Sequence, residues 1–367
     1  MIRQIICFFG KILFSLKKQI KKSDSSNPKK ILVVRSGAIG DVIMTNPFLR
    51  AIRKKFPKSK ISYLVGEWSK KALENNRNID EIISFDDKII YGKKLTGTIK
   101  LINKIRKEKF DVCFMLDKSY HWGILGFLFG IKTRIGFDRK GEGFANHLNV
   151  LFDGTKYEAD YNLMLARKAG ADIKNKKTEI LLSKQDMDFA DSFIIKNRIK
   201  GRIIGIAPGG AKNPGQEMAA KRWPAEKYEE LVKRLCKNNK IILFGGPGDT
   251  EINHKIIKAA SSENVFDSAG KTTIKQAAAL MKKCKLFITH DSGPMHIAAS
   301  TGIKVIALFG PTDPKRFAPR NATVISSKNK CCPCYDLYGS YEKCRNLDCM
   351  NSISVDIVEG VCKKAKI

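Results

Sequence analysis

The first half of the chain alternates short apolar runs with amphipathic segments. Residues 31–34 and 61–65 have the length and branched side chains of buried strands, and residues 42–56 between them follow helical spacing up to Pro57. A further helical pattern through residues 99–105 leads to a strand at 112–116. Because strands that alternate with helices form parallel sheets, this half predicts a Rossmann-like domain with its ligand crevice beyond the carboxyl ends of the strands.

The second half repeats the pattern after a polar stretch. The predicted strands lie at 203–207, 241–244, 286–289 and 305–309, and they run into the turns PGG, GGPGD, HDSGPMHIAAS and GPTDP. Four turns rich in Gly, Pro and small polar residues at one rim of a sheet indicate a ligand site more than a packing requirement. The predicted fold class is therefore α/β, with two Rossmann-like domains.

A separate amphipathic pattern precedes the first domain. Apolar residues recur at helical spacing over residues 2–20, and residues 1–22 contain six basic residues and no acidic one. A basic amphipathic helix is typical of a segment that lies on an anionic membrane surface. The alternative is a helix that packs on the rest of the protein, and we favour the membrane surface.

Length and charge narrow the classes of protein. The chain has 367 residues, 43% of them hydrophobic, and a net charge of +32, so about two domains are expected. The charge favours anionic partners such as nucleic acid, acidic lipid headgroups or phosphorylated small molecules, although a Lys-rich proteome gives the same charge without a function. Nucleic acid is not predicted as a partner, because the sequence has no zinc-finger spacing, RNP-like motif or identifiable recognition helix.

The turn SGAIGD follows the first predicted strand and opens a helix. Gly37 and Gly40 let the backbone approach a ligand, and Asp41 is a carboxylate placed to act as a general base. Aspartate is equally suited to cap the helix. The spacing matches neither G-x-G-x-x-G nor a P-loop, which argues against both motifs.

The segment HDSGPMHIAAS is the most informative turn of the second half. Asp291, Ser292 and Gly293 begin a helix whose first turns carry His296, so amide, hydroxyl and imidazole groups are expected to converge on a phosphate or a sugar. A buried core histidine is the alternative for His296. Lys221, between a glycine-rich strand end and a helix, is either a solvated lysine or a cation that neutralises a diphosphate.

At these residues the sequence resembles the glycosyltransferase family that includes the ADP-heptose:lipopolysaccharide heptosyltransferases, family nine. The resemblance runs from about Lys30 to Val358, and its specific segments are ILVVRSGAIGDVIMTNPFLRAIRKKFP, KRWPAEKYEEL, ILFGGPGDTE and ITHDSGPMHIAASTGIKVIALFGPTDP. It implies a GT-B architecture, with two Rossmann-like domains that face each other across a cleft. It also implies an acceptor on the first domain, a sugar nucleotide mainly on the second, inversion at the anomeric centre and no need for a metal.

The resemblance implies roles for individual residues. Asp41 matches the catalytic base, Lys221 the lysine that meets the donor diphosphate, and Asp291 the acidic residue that binds the donor sugar. The remaining matches are Ser292, Gly293 and His296 on sugar and phosphate, and Gly209 and Gly210 as small residues lining the phosphate site. Asp249 and Glu251 both remain candidates for the acidic residue that holds the ribose.

Five of the ten cysteines crowd into residues 331–349. A tetrahedral zinc site requires four ligands. Four of these cysteines could supply them: Cys331, Cys334, Cys344 and Cys349. The spacing of the second pair departs from C-x-x-C, so we favour free thiols and predict no metal cofactor.

The predicted organisation has six segments. They are a basic amphipathic helix over 1–22, a linker over 23–29, an N-terminal Rossmann-like acceptor domain over 30–175, a linker region over 176–200, a C-terminal Rossmann-like nucleotide-sugar domain over 201–350 and a C-terminal helix over 351–367.

The predicted function is transfer of heptose from ADP-heptose to a lipid-linked oligosaccharide of the lipopolysaccharide inner core. The basic helix and the anionic acceptor place the protein in the cytoplasm, peripherally bound to the inner face of the cytoplasmic membrane. One alternative is a transferase of the same fold that uses another nucleotide sugar. The other is a non-enzymatic protein that binds anionic polymers such as nucleic acid.

Overall fold

The computed structural model describes residues 2–17, 27–91, 94–213, 215–340 and 348–365. The chain divides into two compact units, Met1–Lys177 and Thr178–Ile367, and this division falls inside the region 176–200 assigned to a linker. Each unit contains a parallel sheet of six strands. The predicted α/β class with two Rossmann-like domains is therefore confirmed.

The sheet of the first unit has the strand order β3-β2-β1-β4-β5-β6. Its strands are β1 (Lys30–Val34), β2 (Lys60–Gly66), β3 (Glu81–Phe85), β4 (Val112–Met115), β5 (Thr133–Asp138) and β6 (Leu148–Leu151). The helices of the unit are α1 (Ile2–Lys17), α2 (Ile39–Ile43), α3 (Asn46–Lys55), α4 (Glu67–Lys70), α5 (Asp87–Tyr91), α6 (Leu95–Glu108), α7 (Tyr120–Leu128) and α8 (Glu158–Lys168), with a 3-10 helix at Glu142–Ala145.

The single helix expected over residues 42–56 is two helices, so that prediction is wrong in this detail. Helix α2 ends at Ile43, and α3 begins at Asn46 with Pro47 in its first turn. Proline has no N–H to donate, and its ring collides with the carbonyl four residues earlier, which here belongs to Ile43. The break leaves α2 as a five-residue helix directly after the glycine-rich turn.

Helix α1 packs on the rest of the first unit, as in the alternative given for its apolar residues; the membrane surface stays a prediction. Cys7 is buried in a cluster with Phe144, and the ring centres of Phe14 and of Phe127 on α7 are 5.0 Å apart. Gly10 allows this approach, because a Cβ there would lie 2.7 Å from the Phe144 ring. Residues 18–26, which include the end of the predicted helix and most of the predicted linker, lie outside the described residues.

The sheet of the second unit has the order β11-β10-β7-β12-β13-β14, beside a short hairpin of β8 and β9. Its strands are β7 (Ile203–Ala207), β8 (Lys212–Asn213), β9 (Gln216–Glu217), β10 (Lys240–Leu243), β11 (Val265–Asp267), β12 (Leu286–His290), β13 (Lys304–Phe309) and β14 (Ala322–Ser326). Its helices are α9 (Lys184–Lys196), α10 (Ala225–Leu235), α11 (Thr250–Ala260), α12 (Ile274–Lys282), α13 (Gly293–Ser300), α14 (Pro314–Phe317), α15 (Asp348–Asn351) and α16 (Val355–Lys364). Two 3-10 helices lie at Ala219–Lys221 and Pro247–Asp249.

Helices from both ends of the second unit pack on its core. A capping box between Ser183 and Asp186 begins α9. The indole Nε1 of Trp223 donates to the carbonyl of Ile353 at 3.0 Å. Arg234 on α10 contacts Asp356 on α16 at 2.6 Å. These contacts tie the C-terminal segment to α10 and to the residues just before it.

We predict that Gly205→Ala destabilises the protein. A Cβ at Gly205 on β7 would lie 2.6 Å from Phe287 and 3.0 Å from Phe244, and buried aromatic rings cannot move aside without displacing the core. We expect a loss of about 1–3 kcal/mol, seen as a lower midpoint in thermal unfolding.

Gly360→Ala is the matched control for this prediction. No atom lies within 4 Å of a Cβ at Gly360, which is on α16, so the same substitution is expected to leave stability unchanged or raise it by up to about 1 kcal/mol. Equal midpoints for the two variants would contradict the overpacking argument.

Candidate active site

Asp41 lies in the first turn of α2, close to the carboxyl end of β1. Its Oδ1 contacts Nη2 of Arg35 at 2.9 Å, and about a quarter of its side chain is exposed. The backbone at Gly37 makes room for the carboxylate, because a Cβ there would lie 2.7 Å from Asp41 Oδ2. Gly40 is buried inside α2. The turn predicted to approach a ligand therefore holds a partly exposed carboxylate against a guanidinium.

The guanidinium of Arg35 joins the ends of two strands. Its Nη1 donates to the carbonyl of Leu116 at 2.9 Å and contacts Asp117 Oδ1 at 3.3 Å, both just after β4. The second oxygen of Asp117 accepts from the amide of Ser36 at 2.7 Å. Burial disfavours the charged guanidinium, but the carboxylates of Asp41 and Asp117 outweigh this effect, so the pKa of Arg35 lies above its ordinary value.

A second buried pair lies beside this group. Lys118 pairs with Glu158 at the start of α8, and its ammonium is 4.6 Å from the centre of the Phe152 ring. Burial lowers the pKa of Lys118, while Glu158 partly counters this by favouring the charged form. The carboxyl ends of β1 and β4 therefore form a polar cluster of two cations and three carboxylates.

In the second unit, Lys221 and Asp291 form a buried ion pair. Lys221 ends the 3-10 helix Ala219–Lys221, Asp291 follows β12, and their Nζ and Oδ2 atoms are 2.9 Å apart. Burial by itself raises the pKa of Asp291, but Lys221, the ring of His296 and a hydrogen bond from Thr312 hold it below its ordinary value. The interpretation of Lys221 as a solvated surface lysine is therefore wrong.

Two aromatic rings cover the Lys221 ammonium. Its Nζ lies 5.4 Å from the ring centre of Phe317 on α14 and 5.1 Å from that of Tyr335. The two rings meet edge to face, with 5.9 Å between their centres. Contacts of this kind attract the ammonium to the faces of the rings. The pair of charges is thus held between the carboxyl end of β12, helix α14 after β13 and the segment that follows β14.

The predicted helix start after β12 is present. Ser292 is the N-cap residue of α13, Gly293 is its first residue, and His296 is buried one turn further along. The Ser292 hydroxyl donates to the carbonyl of His290 at 3.2 Å. The structure therefore brings Ser292, Gly293 and His296 to the same strand end as Asp291.

His290 is a core histidine in the same segment. Its Nδ1 is 3.1 Å from the Tyr228 hydroxyl, and burial lowers its pKa to about 3. A neutral imidazole is consistent with a packing role.

Asp249 connects two of the predicted glycine turns. Its carboxylate accepts from the amide of Gly210 at 2.9 Å and from that of Gly246 at 2.8 Å. Gly209 permits this arrangement, because a Cβ there would lie 2.3 Å from Asp249 Oδ1. Glu251 instead lies exposed on α11 and pairs with Lys255 at 2.8 Å. Of the two candidates for the residue that holds the ribose, Asp249 is the one at the strand ends. Its hydrogen bonds to Gly210 and Gly246 also fix the shape of these two turns.

The cysteine segment is only partly described. Cys344 lies outside the described residues, and the part of the chain that the structure describes contains no group of three metal-ligating side chains suited to a metal ion. Cys332 is close to Cys331 and Cys349, with 4.0 Å between Sγ of Cys331 and Sγ of Cys332. Burial, Cys349 and Cys331 raise the pKa of the Cys332 thiol to about 12. That these cysteines are free thiols without a metal stays a prediction.

Sequence reasoning missed several residues of both clusters. They are Arg35, Asp117, Lys118 and Glu158 in the first unit, and Thr312, Phe317 and Tyr335 in the second. Arg35 and Asp117 each follow a predicted buried strand within two residues, so the rule that ligands bind at the carboxyl ends of strands would have found them. Nothing in the sequence indicates that Phe317 or Tyr335 lies over Lys221.

Charged side chains gathered at the carboxyl ends of central parallel strands are typical of α/β enzymes that bind phosphorylated ligands. A comparison with family models narrows this class: the model of glycosyltransferase family 9 (heptosyltransferase) matches residues 98–344. The chain belongs to this family and is a glycosyltransferase.

Individual proteins support the same assignment. The chain is 30% identical over 313 residues to a lipooligosaccharide heptosyltransferase 2 of Campylobacter jejuni, covering 83% of this chain and 90% of that protein. It is 27% identical to the lipopolysaccharide heptosyltransferase 2 of Salmonella typhimurium, covering 78% and 84% of the two chains. The crystal structure of a family 9 glycosyl transferase from Veillonella parvula superposes with a TM-score of 0.80 at 26% identity, covering 94% and 98%. The fold class is thus that of the GT-B heptosyltransferases.

We predict that Lys221→Met destabilises the second unit. The substitution leaves Asp291 as an unpaired charge that is only 5% exposed, which costs about 3–5 kcal/mol at neutral pH. The pKa of Asp291 is lowered in the folded protein, so the pair stabilises the fold at neutral pH and this contribution is lost as the pH falls through the folded pKa. Denaturant unfolding should therefore show a deficit that is present above about pH 4, the range of an unperturbed Asp, and that narrows as the pH falls below it.

Lys255→Met is the matched control, because it breaks an exposed pair with Glu251. Its midpoint should stay close to that of the native protein at every pH, because an exposed ion pair contributes little to stability. A Lys221→Met deficit that is equally small, or one that does not change with pH, would contradict the assignment of a buried pair.

Proposed function

We propose that this glycosyltransferase moves heptose from ADP-heptose to an acceptor in the lipopolysaccharide inner core. The family supports the sugar, and the relatives from Salmonella typhimurium and Campylobacter jejuni, a lipopolysaccharide and a lipooligosaccharide heptosyltransferase, support the class of acceptor. The observation that carries the chemistry is the partly exposed Asp41 carboxylate, held by Arg35 at the carboxyl end of β1. Asp41 lies before the range 98–344 of the family match, so its role depends on this geometry and on the resemblance of its turn.

The proposed reaction is a single displacement that inverts the anomeric carbon. Asp41 accepts the proton of the acceptor hydroxyl while the hydroxyl oxygen attacks that carbon. The bond to the donor phosphate breaks, and its electron pair leaves with ADP. Lys221 and His296 stabilise the negative charge that develops on the diphosphate, and Asp291 orients Lys221 through the 2.9 Å contact and takes part in binding the sugar.

We propose that no metal cofactor is needed for this step. The buried ammonium of Lys221 supplies the positive charge that a divalent cation supplies in other nucleotide-sugar enzymes. The prediction is that transfer continues in the presence of EDTA. Transfer that stops with EDTA and resumes with an added divalent cation would contradict this part of the proposal.

The decisive experiment combines a transfer assay with calorimetric binding of the donor. We expect the protein to bind ADP and ADP-heptose in preference to UDP-sugars, and to glycosylate a truncated inner-core acceptor as seen by mass spectrometry. Preference for a uridine donor would leave the assigned fold unchanged but would show that the proposed donor is wrong. Salt-sensitive binding of duplex DNA without any binding of nucleotide would contradict the enzymatic proposal.

We predict that Asp41→Ala lowers the rate of transfer by about 10²–10⁴-fold, because the proton acceptor is lost, and leaves ADP binding nearly unchanged. Asp172→Ala is the control: this carboxylate lies in the same unit and pairs with Lys54 on the surface at 3.2 Å, and its loss should leave turnover unchanged. If donor affinity falls in proportion to turnover in Asp41→Ala, the base assignment is wrong.

We also propose that α1 holds the enzyme on the anionic inner face of the cytoplasmic membrane. Phe8, Phe9 and Ile12 are 62%, 64% and 48% exposed, although the opposite side of α1 packs on the unit. Lys11 is exposed on the same helix, as expected for a segment that meets acidic headgroups. The proposed attachment is at the membrane interface. None of the described helices is long and apolar enough to cross a bilayer.

We predict that Phe8→Asp combined with Phe9→Asp weakens binding to phosphatidylglycerol-containing vesicles about tenfold or more, because both rings lose their burial in the lipid interface. Sedimentation with the vesicles measures the effect. Leu95→Asp is the control, since Leu95 is 72% exposed on α6 and is not part of the proposed surface. Equal losses in both proteins, or none, would contradict the role of α1.

A further inference from the structure

Arg35 stands out among the residues at the carboxyl end of β1, because it is the buried partner of the proposed base. Its side chain is 9% exposed, whereas that of Asp41 is 28% exposed. The guanidinium contacts Asp41 with Nη2 and Asp117 with Nη1. The Nη1 side of the guanidinium is therefore fixed by contacts inside the protein. The Nη2 side contacts Asp41, whose carboxylate is partly exposed.

The anchor has more than one contact. Nη1 donates to the Leu116 carbonyl at 2.9 Å, and Asp117 also accepts from the amide of Ser36 next to Arg35. A planar guanidinium that is held at one nitrogen keeps the direction of the other, which an ammonium on a flexible stem does not. Arg35 therefore presents Nη2 to Asp41 in one orientation.

We propose that Arg35 is a positioning residue for catalysis: it holds Asp41 Oδ1 and thereby aims Oδ2 at the acceptor hydroxyl. This inference rests on the proposed function, in which Asp41 accepts the proton. Gly37 is consistent with it, because any larger residue would place its Cβ 2.7 Å from Oδ2. The O–H bond of the acceptor breaks, its proton passes to Oδ2, and the oxygen forms the new bond to the anomeric carbon. The bond from that carbon to the diphosphate oxygen breaks, and its electron pair leaves with ADP.

The charge of Arg35 has a second consequence. A cation 2.9 Å from a carboxylate favours the ionised form, so Asp41 stays able to accept a proton at lower pH. The other groups that face Arg35 are Asp117, Glu158 and Tyr63, and Lys118 lies beside Glu158. These groups remain when Arg35 is replaced, and the excess of carboxylates then opposes ionisation of Asp41.

The test compares Arg35→Gln and Arg35→Lys with the native enzyme in steady-state transfer over a range of pH. For Arg35→Gln we expect kcat to fall by about 10²-fold, as for a misplaced catalytic group, with the donor KM within about twofold of the native value. The acid limb of kcat, which reports protonation of the base, should move to higher pH. Arg35→Lys keeps the charge but not the planar fork, so its kcat should fall while its acid limb stays in place.

Arg234→Gln is the matched control. Arg234 also binds several carboxylates, contacting Asp356 and Glu359 from α10, but it takes no part in the proposed chemistry. It should lower the thermal midpoint without changing kcat or the acid limb.

The outcomes separate this inference from the function on which it rests. Native enzyme that fails to use ADP-heptose contradicts the proposed function. Native enzyme that is active, with Arg35→Gln equally active per folded molecule and an unchanged acid limb, overturns the positioning role. If Arg35→Gln does not fold, Arg35→Lys decides, since unchanged kcat in that variant also overturns it.

Discussion

The parallel pairing of β1 with β4, and of β7 with β12, is the constraint on which both charged clusters depend. Each pair lies where the strand order of its sheet reverses direction, and loops diverge from such a point to leave a crevice at the carboxyl ends. In the first sheet the pairing brings Arg35 against Asp117, 82 residues away in the sequence. In the second it brings the turn with Gly210 close to Ser292.

Burial gives these ion pairs fixed directions at an energetic cost. Charged groups lose hydration when they are buried, and their mutual attraction only partly restores the loss. Further contacts offset the remaining loss of hydration free energy. Arg35 binds two carboxylates and a carbonyl, and Lys221 lies between Asp291 and two aromatic rings. A chain that needed only stability would bury apolar residues here, so the arrangement is better explained by chemistry that requires charges at fixed positions.

Helix α1 shows how an amphipathic pattern can serve two surfaces. Its apolar residues extend over more than one face, so Cys7 and Phe14 pack on the unit while Phe8 and Phe9 remain exposed. The sequence predicted a basic amphipathic helix, and a helix is present at Ile2–Lys17. Which of its apolar residues face the protein depended on Gly10, where the absence of a side chain lets the Phe144 ring approach.

The sequence by itself determined the α/β class, the central strands and the turns that end them, because these features depend on local patterns of apolar residues, glycine and proline. Asp41, Asp291 and His296 could be named from those turns, and Lys221 from its place between a glycine-rich strand end and a helix. Only the tertiary structure decided that α2 and α3 are separate helices, that Arg35 and Asp117 lie together, and that Tyr335 covers Lys221. These contacts depend on the order of the strands in the sheet and on the path of distant loops. A single sequence carries no local signal for contacts between residues that are far apart along the chain.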